Sequence, residues 1–171
     1  MNLLEEIRTQ EHIDIEQVEK IDLEIGPVAS TAAAIKEPRL GVEGKFSVWF
    51  LAALALAEGN VTLDKFTDEK VNRPELIKLR KKIETRLDPR IGFGARFCMK
   101  MKDGTEYKRF LAKPKGDPDN PLSFDELSEK YRNAAILAIS TKQIDALIEN
   151  IKRLEKVENM NEIVALSIRQ A

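Results

Sequence analysis

Arg39, Gly41, Gly44, Lys45 and Ser47 form the stretch whose residue types and spacing come closest to a chemistry. Two cations and two glycines lead into a strongly apolar run, and Ser47 stands where a helix would open. A helix N-terminus presents free N–H groups and a partial positive charge, which suits a carboxylate. Arg39 and Lys45 would add charge-assisted hydrogen bonds. The chemistry expected of Arg39, Lys45 and Ser47 is therefore the binding of a carboxylate substrate. Glu43 opposes it, and loop punctuation followed by an ordinary serine cap accounts for the same residues.

Elsewhere the chemistry-bearing residues stand alone. His12, the single histidine, falls in an expected turn with no acid or nucleophile beside it, so it reads as a surface residue rather than a general base. Cys98 alternates within an expected strand and reads as an inert thiol. Arg80-Lys81-Lys82 reads as a solvated helix end, where the dipole favours cations. The chain has no glycine-rich phosphate loop, no zinc-ligand spacing and no nucleophile elbow. No catalytic residue, metal ligand or cofactor is assigned from these residues.

With 171 residues, 43% hydrophobic and 33% charged, the chain can bury a real core. Its 28 basic and 29 acidic residues nearly cancel, to −1, which argues against nucleic acid or an anionic membrane as partner. One cysteine permits no internal disulfide. The acidic start, Met1-Asn2-Leu3-Leu4-Glu5-Glu6, is unlike a signal peptide, and the apolar run from Phe46 to Ala57 is short for a bilayer span. The expected location is cytoplasmic.

The elements that must position these residues follow from periodicity. Leu3 to Arg8 resembles the tail of a helix, as if the chain began partway through an element. Val18 to Ile25 alternates, with Ile21, Leu23 and Ile25 on one side, as a half-buried strand does. Gly26 to Gly44 reads as a long connection. From Phe46 the run has no polar face before Glu58, so it should be a helix enclosed on nearly all sides, stopped by Gly59. Thr62 to Phe66 suits a helical turn, and Pro74 opens a helix ending at Arg80-Lys81-Lys82. Ile83 to Leu87 and Ala95 to Met101 read as strands. Asp103-Gly104 predicts a two-residue hairpin returning through Thr105 to Ala112, with Phe97 opposite Phe110. A proline-rich loop fills 113–123. Ser123 and Ser140 open capping boxes for two helices, and a short helix over Asn161 to Ser167 completes C-terminal helices within 140–171. The expected fold is α+β, a single domain over 1–171: a small antiparallel sheet of about four strands, a central buried helix and packed C-terminal helices.

Four stretches, in order, carry a resemblance to a known family. They are Ile15-Glu16-Gln17-Val18-Glu19-Lys20-Ile21; Glu43-Gly44-Lys45-Phe46-Ser47 with Glu58-Gly59-Asn60-Val61-Thr62-Leu63; Asn72-Arg73-Pro74-Glu75-Leu76; and Lys115-Gly116-Asp117-Pro118-Asp119-Asn120-Pro121-Leu122-Ser123, leading to Glu129-Lys130-Tyr131. Over residues 12–155 the chain resembles the C-terminal part of the MmgE/PrpD family, which includes 2-methylcitrate dehydratase, cis-aconitate decarboxylase and iminodisuccinate epimerase. The resemblance implies a smaller α+β lid that closes over substrate held against a large helical domain, with no metal or organic cofactor. It implies that the proton-handling histidines and lysine belong to that helical domain or to a segment ahead of the lid. His12 matches none of them. Some decarboxylase members carry a tyrosine in the loop before the apolar helix, whereas Thr31 to Gly44 here contains no aromatic residue.

Three functional readings follow. The chain is the lid of a 2-methylcitrate dehydratase-like lyase acting on a citrate-like polycarboxylate, as a truncation or a split subunit partnered by a helical catalytic domain. Alternatively it is a stand-alone, non-catalytic binding or interaction module that keeps the lid fold, or an independent enzyme of another kind. An isolated lid would expose the surface that meets its partner, so a homo-oligomer formed through the terminal helices is expected.

Overall fold

The computed structural model describes residues 2–169, which form two compact units: one from residues up to 61 with 65–121, the other from 62–64 with 122 onward. Met1, Gln170 and Ala171, at the ends of the expected segments, lie outside the described residues.

The first unit is built on a four-stranded sheet among the described residues, ordered β2-β1-β3-β4. Strand β1 (Val18–Ile25) turns Ile21, Leu23 and Ile25 inward, as its alternation predicts. It pairs antiparallel with β3 (Ala95–Met101), which pairs antiparallel with β4 (Glu106–Leu111). Its pairing with β2 (Ile83–Leu87) is parallel, so the sheet is mixed rather than wholly antiparallel. A parallel partner must return through a crossover, supplied here by everything between residues 26 and 82. The fold class is α+β, as expected.

The hairpin differs from expectation by one residue. Phe97 lies opposite Arg109, and Phe110 opposite Arg96. The Met101 N–H donates to the Thr105 carbonyl (2.8 Å) and Gly104 has φ 89°, so the loop is Lys102-Asp103-Gly104 with glycine in the left-handed position. A one-residue slip exchanges faces. Phe97 is therefore fully buried, while Phe110 lies on the outer face beneath the Arg96 guanidinium.

Helices α1 (Asn2–Glu11), α4 (Val48–Glu58) and α6 (Pro74–Lys81) cover the inner face, and their apolar residues form one core with those of β1, β2 and β3. Leu3, Leu4 and Ile7 hold α1 in this core, which stabilises a helix too short to persist alone. Phe50, Ala52, Ala53, Leu54, Ala55 and Leu56 of α4 are all essentially inaccessible; burying each large side chain contributes about 1.5–3 kcal/mol. Phe46, expected in this helix, precedes it and is half exposed. The outer face of the sheet is a lattice of charge, with Lys20 bridging Asp22 and Glu84, and Lys100 paired with Glu19.

The 26–44 connection is more structured than expected. It contains α2 (Pro27–Ala32) and α3 (Gly41–Gly44), and it is followed in the chain by α5 (Asp68–Val71) beyond α4. The 62–66 stretch contains the expected helical turn, a 3-10 turn at Leu63–Lys65.

In the second unit, α7 (Phe124–Ala135) and α8 (Thr141–Lys152) begin at the two predicted capping boxes, and α9 (Met160–Leu166) follows. Gln143 is buried; its side-chain amide donates to the carbonyls of Leu166 and Ile168 and ties the start of α8 to the chain beyond α9.

Candidate functional site

The loop that carries Arg39 is closed like a purse. The Ile35 N–H donates to the Phe46 carbonyl (3.0 Å), the Val48 N–H donates to Ala33, and Ala34 bridges Ser47. The ends of 35–46 therefore meet beside α4, as in an Ω-loop. Within it, the Glu43 carboxylate accepts the N–H groups of Arg39 (2.7 Å) and Leu40 (3.0 Å), which hold it below its usual range. Asp68 accepts the Gly41 N–H at 2.7 Å, and Asn72 donates to the Arg39 carbonyl at 2.8 Å. A side chain at Gly41 would place its Cβ 2.2 Å from the Phe66 carbonyl oxygen, so glycine is what lets the loop lie against the 66–68 segment. At the start of α4, where a ligand carboxylate was expected, the Val48 N–H is taken by the Ala33 carbonyl and the Phe50 N–H by Ser47 Oγ.

Charge gathers instead on the other side of the loop. Lys36, Glu37, Pro38, Arg39, Asn72, Ile77, Arg80 and Lys81 line an open cleft of about 260 Å³. Of the expected trio, only Arg39 lines it. Lys45 stands over the Phe66 ring, 5.7 Å from its centroid. Ser47 is fully buried, and its Oγ accepts the Phe50 N–H to cap α4. The structure places Lys45 and Ser47 as supports of the loop and does not bring them together with Arg39.

Arg80 is the residue that sequence reading misplaced. Rather than ending a helix in solvent it is buried, with 9% of its surface exposed, and its Nη1 donates to the Pro38 carbonyl at 3.3 Å. Burial lowers its pKa and Glu37 partly opposes that. A local cue was present: Leu76, Leu79 and Arg80 share one face of α6 at helical spacing, and Leu76 and Leu79 are core residues. Arg80 therefore had to point inward. Among the described residues no carboxylate lies within ion-pair distance of Lys36, Arg39, Arg80 or Lys81, while Lys70 and Arg73, near the other end of α6, are both paired.

His12 is exposed, with φ 50°, just past the end of α1, and Cys98 is a half-buried free thiol in β3. Neither approaches an acid–base constellation. No group of side chains able to hold a metal occurs among the described residues, and no described helix is long and apolar enough to cross a membrane.

A mixed sheet covered on one face by a nearly all-apolar helix, with a pinned loop and a cationic cleft beside it, defines an α+β domain. A sequence profile of the MmgE/PrpD C-terminal domain matches residues 1–156, and the chain belongs to that family. It is similar to cis-aconitate decarboxylase from Homo sapiens, 28% identical over 129 residues covering 72% of this chain and 27% of that protein. It is 27% identical to the Mus musculus cis-aconitate decarboxylase over the same length, covering 72% of this chain and 26% of that protein. A cis-aconitate decarboxylase-like protein of Aspergillus oryzae is 26% identical over 136 residues, which cover 77% of this chain and 28% of that protein. The chain thus spans about a quarter of the length of the curated relatives it matches.

Proposed function

We propose that this chain is the substrate-covering part of an MmgE/PrpD-type lyase that acts on a citrate-like or aconitate-like polycarboxylate, and that it takes its proton-transfer groups from a helical catalytic domain. The observation that carries the reading is the cluster of unpaired cations in the Arg39 cleft on a chain of this family. Dehydration or decarboxylation beside carboxylates needs an acid, a base and cations to hold the charge. The cleft offers the cations. The sole histidine, His12, is exposed and far in sequence from the loop. On this reading Arg39 contacts substrate, while Lys45 and Ser47 contribute by fixing the loop through Phe66 and the start of α4. Closure over the helical domain would exclude water and complete the site. The names of the relatives favour decarboxylation, whereas the aromatic-free 31–44 loop counts against it.

Co-expression with the helical half of an MmgE/PrpD enzyme tests the reading. Turnover of cis-aconitate or citrate by the pair, absent from either part alone, is the expected result. Inactivity with every helical partner, or turnover by the purified chain alone, overturns it.

The second unit supports the expectation of self-association when the chain is alone. Phe124, Leu127, Tyr131, Leu147, Ile148 and Ile151 line an apolar groove of about 390 Å³ on that unit. Light scattering that shows a monomer at all concentrations would remove this part of the reading.

A further inference from the structure

We infer that Arg80 is the anchor of an anion site complete within this chain, which binds a small molecule carrying two or more carboxylates without any catalytic partner. The inference shares its cleft with the reading above and takes from it the preference for carboxylate, but binding itself does not depend on lyase chemistry.

Arg80 carries the argument. A buried guanidinium is ordinarily paired with a carboxylate or wrapped in acceptors, because an uncompensated charge in the interior is unfavourable. Arg80 is nine-tenths buried and, among the described residues, makes one hydrogen bond, to the Pro38 carbonyl; its other donors are not sealed in the core and open onto the cleft. That single bond orients the fork. Pro38 is itself fully buried, and Arg39, next in the chain, is latched through its carbonyl by Asn72 and through its amide by Glu43. The wall facing Arg80 is therefore held in place before any ligand arrives, which lowers the cost of binding.

The other charges set the ligand class. Lys36, Arg39 and Lys81 are exposed along the same cleft, so a ligand seated on Arg80 meets further cations at its outer end. Glu37 is the one acid in the lining and disfavours a ligand of diffuse negative charge over one with discrete, separated anionic groups. The backbone amides of Arg39, Leu40 and Gly41 are occupied by Glu43 and Asp68 and are not offered to a ligand. Phosphate sites commonly rely on such amides, whereas a planar carboxylate is matched by the arginine fork alone. A volume near 260 Å³ lies just below the usual range for drug-sized ligands, about 300–1,000 Å³, and suits a small metabolite.

Titration calorimetry of the full 171-residue chain at pH 7, with citrate, cis-aconitate and inorganic phosphate as separate probes, tests the site. Citrate and cis-aconitate should bind one to one and phosphate at least about tenfold more weakly. Arg80→Gln should weaken citrate binding by about 30-fold, the usual consequence of truncating one partner of a buried charge pair. If phosphate binds as tightly as citrate, the carboxylate assignment is wrong. If no probe binds, or Arg80→Gln binds as the parent does, the site is wrong. Should Arg80→Gln fail to fold by circular dichroism, the Lys36→Gln/Arg39→Gln pair, both on the exposed rim, takes its place; unchanged affinity there overturns the inference equally. Citrate binding without turnover in any helical partner would sink the lyase reading alone, and turnover without binding by this chain would sink this inference alone.

Discussion

At the N-terminal end of α6, Glu58 accepts hydrogen bonds from Lys70 (2.7 Å) and Arg73 (2.6 Å), lies 3.5 Å from Lys65, and Arg73 also pairs with Glu75. At the C-terminal end of the same helix, Arg80 and Lys81 line one cleft with Lys36 and Arg39, and among the described residues no carboxylate is in ion-pair contact with them. The two clusters have similar numbers of cations, yet one is closed on itself and the other is open. The closed cluster joins the end of α4 to the start of α6, and its charges serve stability. The open cluster leaves the Arg80 charge only partly offset, by Glu37, which costs stability and leaves a place for an anion. The contrast predicts opposite responses to mutation at the two ends of one helix.

The largest effect should come from the support beneath the loop of the open cluster. Gly41 sits where a Cβ would meet the Phe66 carbonyl oxygen at 2.2 Å and its carbon at 2.6 Å, both of them backbone atoms. Gly41→Ala must push the loop away from the 66–68 segment and break the Gly41–Asp68 hydrogen bond. Overpacking of this kind costs about 1–3 kcal/mol, and urea unfolding should show a loss near the upper end. Citrate affinity should fall with it, because the loop that carries Pro38 and Arg39 has moved. A variant as stable as the parent would show that the loop is not pinned as described.

Next in size is the closed cluster itself. Glu58→Gln keeps the shape and removes the charge that three cations share, and the expected cost is about 1.5 kcal/mol, between exposed and buried pairs. Burial pushes Glu58 upward, but Lys70, Lys65 and Arg73 outweigh it and hold the carboxyl below its ordinary value of 4.5. The sign follows from linkage. A carboxylate depressed in the folded state contributes its stability in full above pH 4.5, and that contribution is lost as pH falls through the folded value. Acid unfolding of the parent should therefore steepen below pH 4.5, and Glu58→Gln should flatten that limb. Parallel acid limbs in the two proteins would show that the cluster contributes nothing to the pH dependence.

How far these two regions could be read from sequence depends on the range of the interaction concerned. The caps at Ser123 and Ser140, the inward alternation of Ile21, Leu23 and Ile25, and the buried α4 are encoded within a few residues, and each is found as expected except that α4 begins two residues late, at Val48. The parallel pairing of β1 with β2 joins segments some sixty residues apart and left no mark in either. The hairpin failed for a smaller reason: Asp103-Gly104 signals a turn, but whether Lys102 belongs to the loop decides the register, and Phe110 changed faces accordingly. Arg80 was assigned to solvent from its two lysine neighbours, although its helical spacing from Leu76 put it on the inward face. Its burial also depends on Pro38, whose approach no local pattern shows. Lys45 and Ser47 were expected beside Arg39 because the three are close in sequence; the turn through α3 separates them.

A third test reverses the sign of the second. Arg80→Met replaces a buried charge that only Glu37 offsets with an apolar chain of similar length, losing one hydrogen bond to Pro38. Such replacements are often neutral or stabilising by about 1–4 kcal/mol. With the hydrogen bond deducted, the expected outcome is unchanged stability or a gain of about 1 kcal/mol, accompanied by loss of citrate binding. A destabilisation like that of Glu58→Gln would mean that Arg80 serves the fold as Glu58 does, and the distinction between the two ends of α6 would disappear.

The smallest effect separates the clusters by their response to salt. Lys36 and Lys70 are both lysines, but Lys36 has only cations and Glu37 around its cleft, whereas Lys70 is paired with Glu58. Neutralising Lys36 removes repulsion and should raise Tm slightly, by less than about 2 °C at low salt; Lys70→Gln removes attraction and should lower it. The Debye length shrinks from about 10 Å at 0.1 M to about 3 Å at 1 M. The Lys36→Gln shift, which arises from screened repulsion across an open cleft, should then vanish. The Lys70→Gln shift should persist in part, because a 2.7 Å hydrogen bond between half-buried groups is shorter than the screening length even at 1 M. Equal salt sensitivity at the two positions would mean that the open cleft is no more exposed to solvent ions than the closed cluster, and its claim to be a place where an anion enters would weaken.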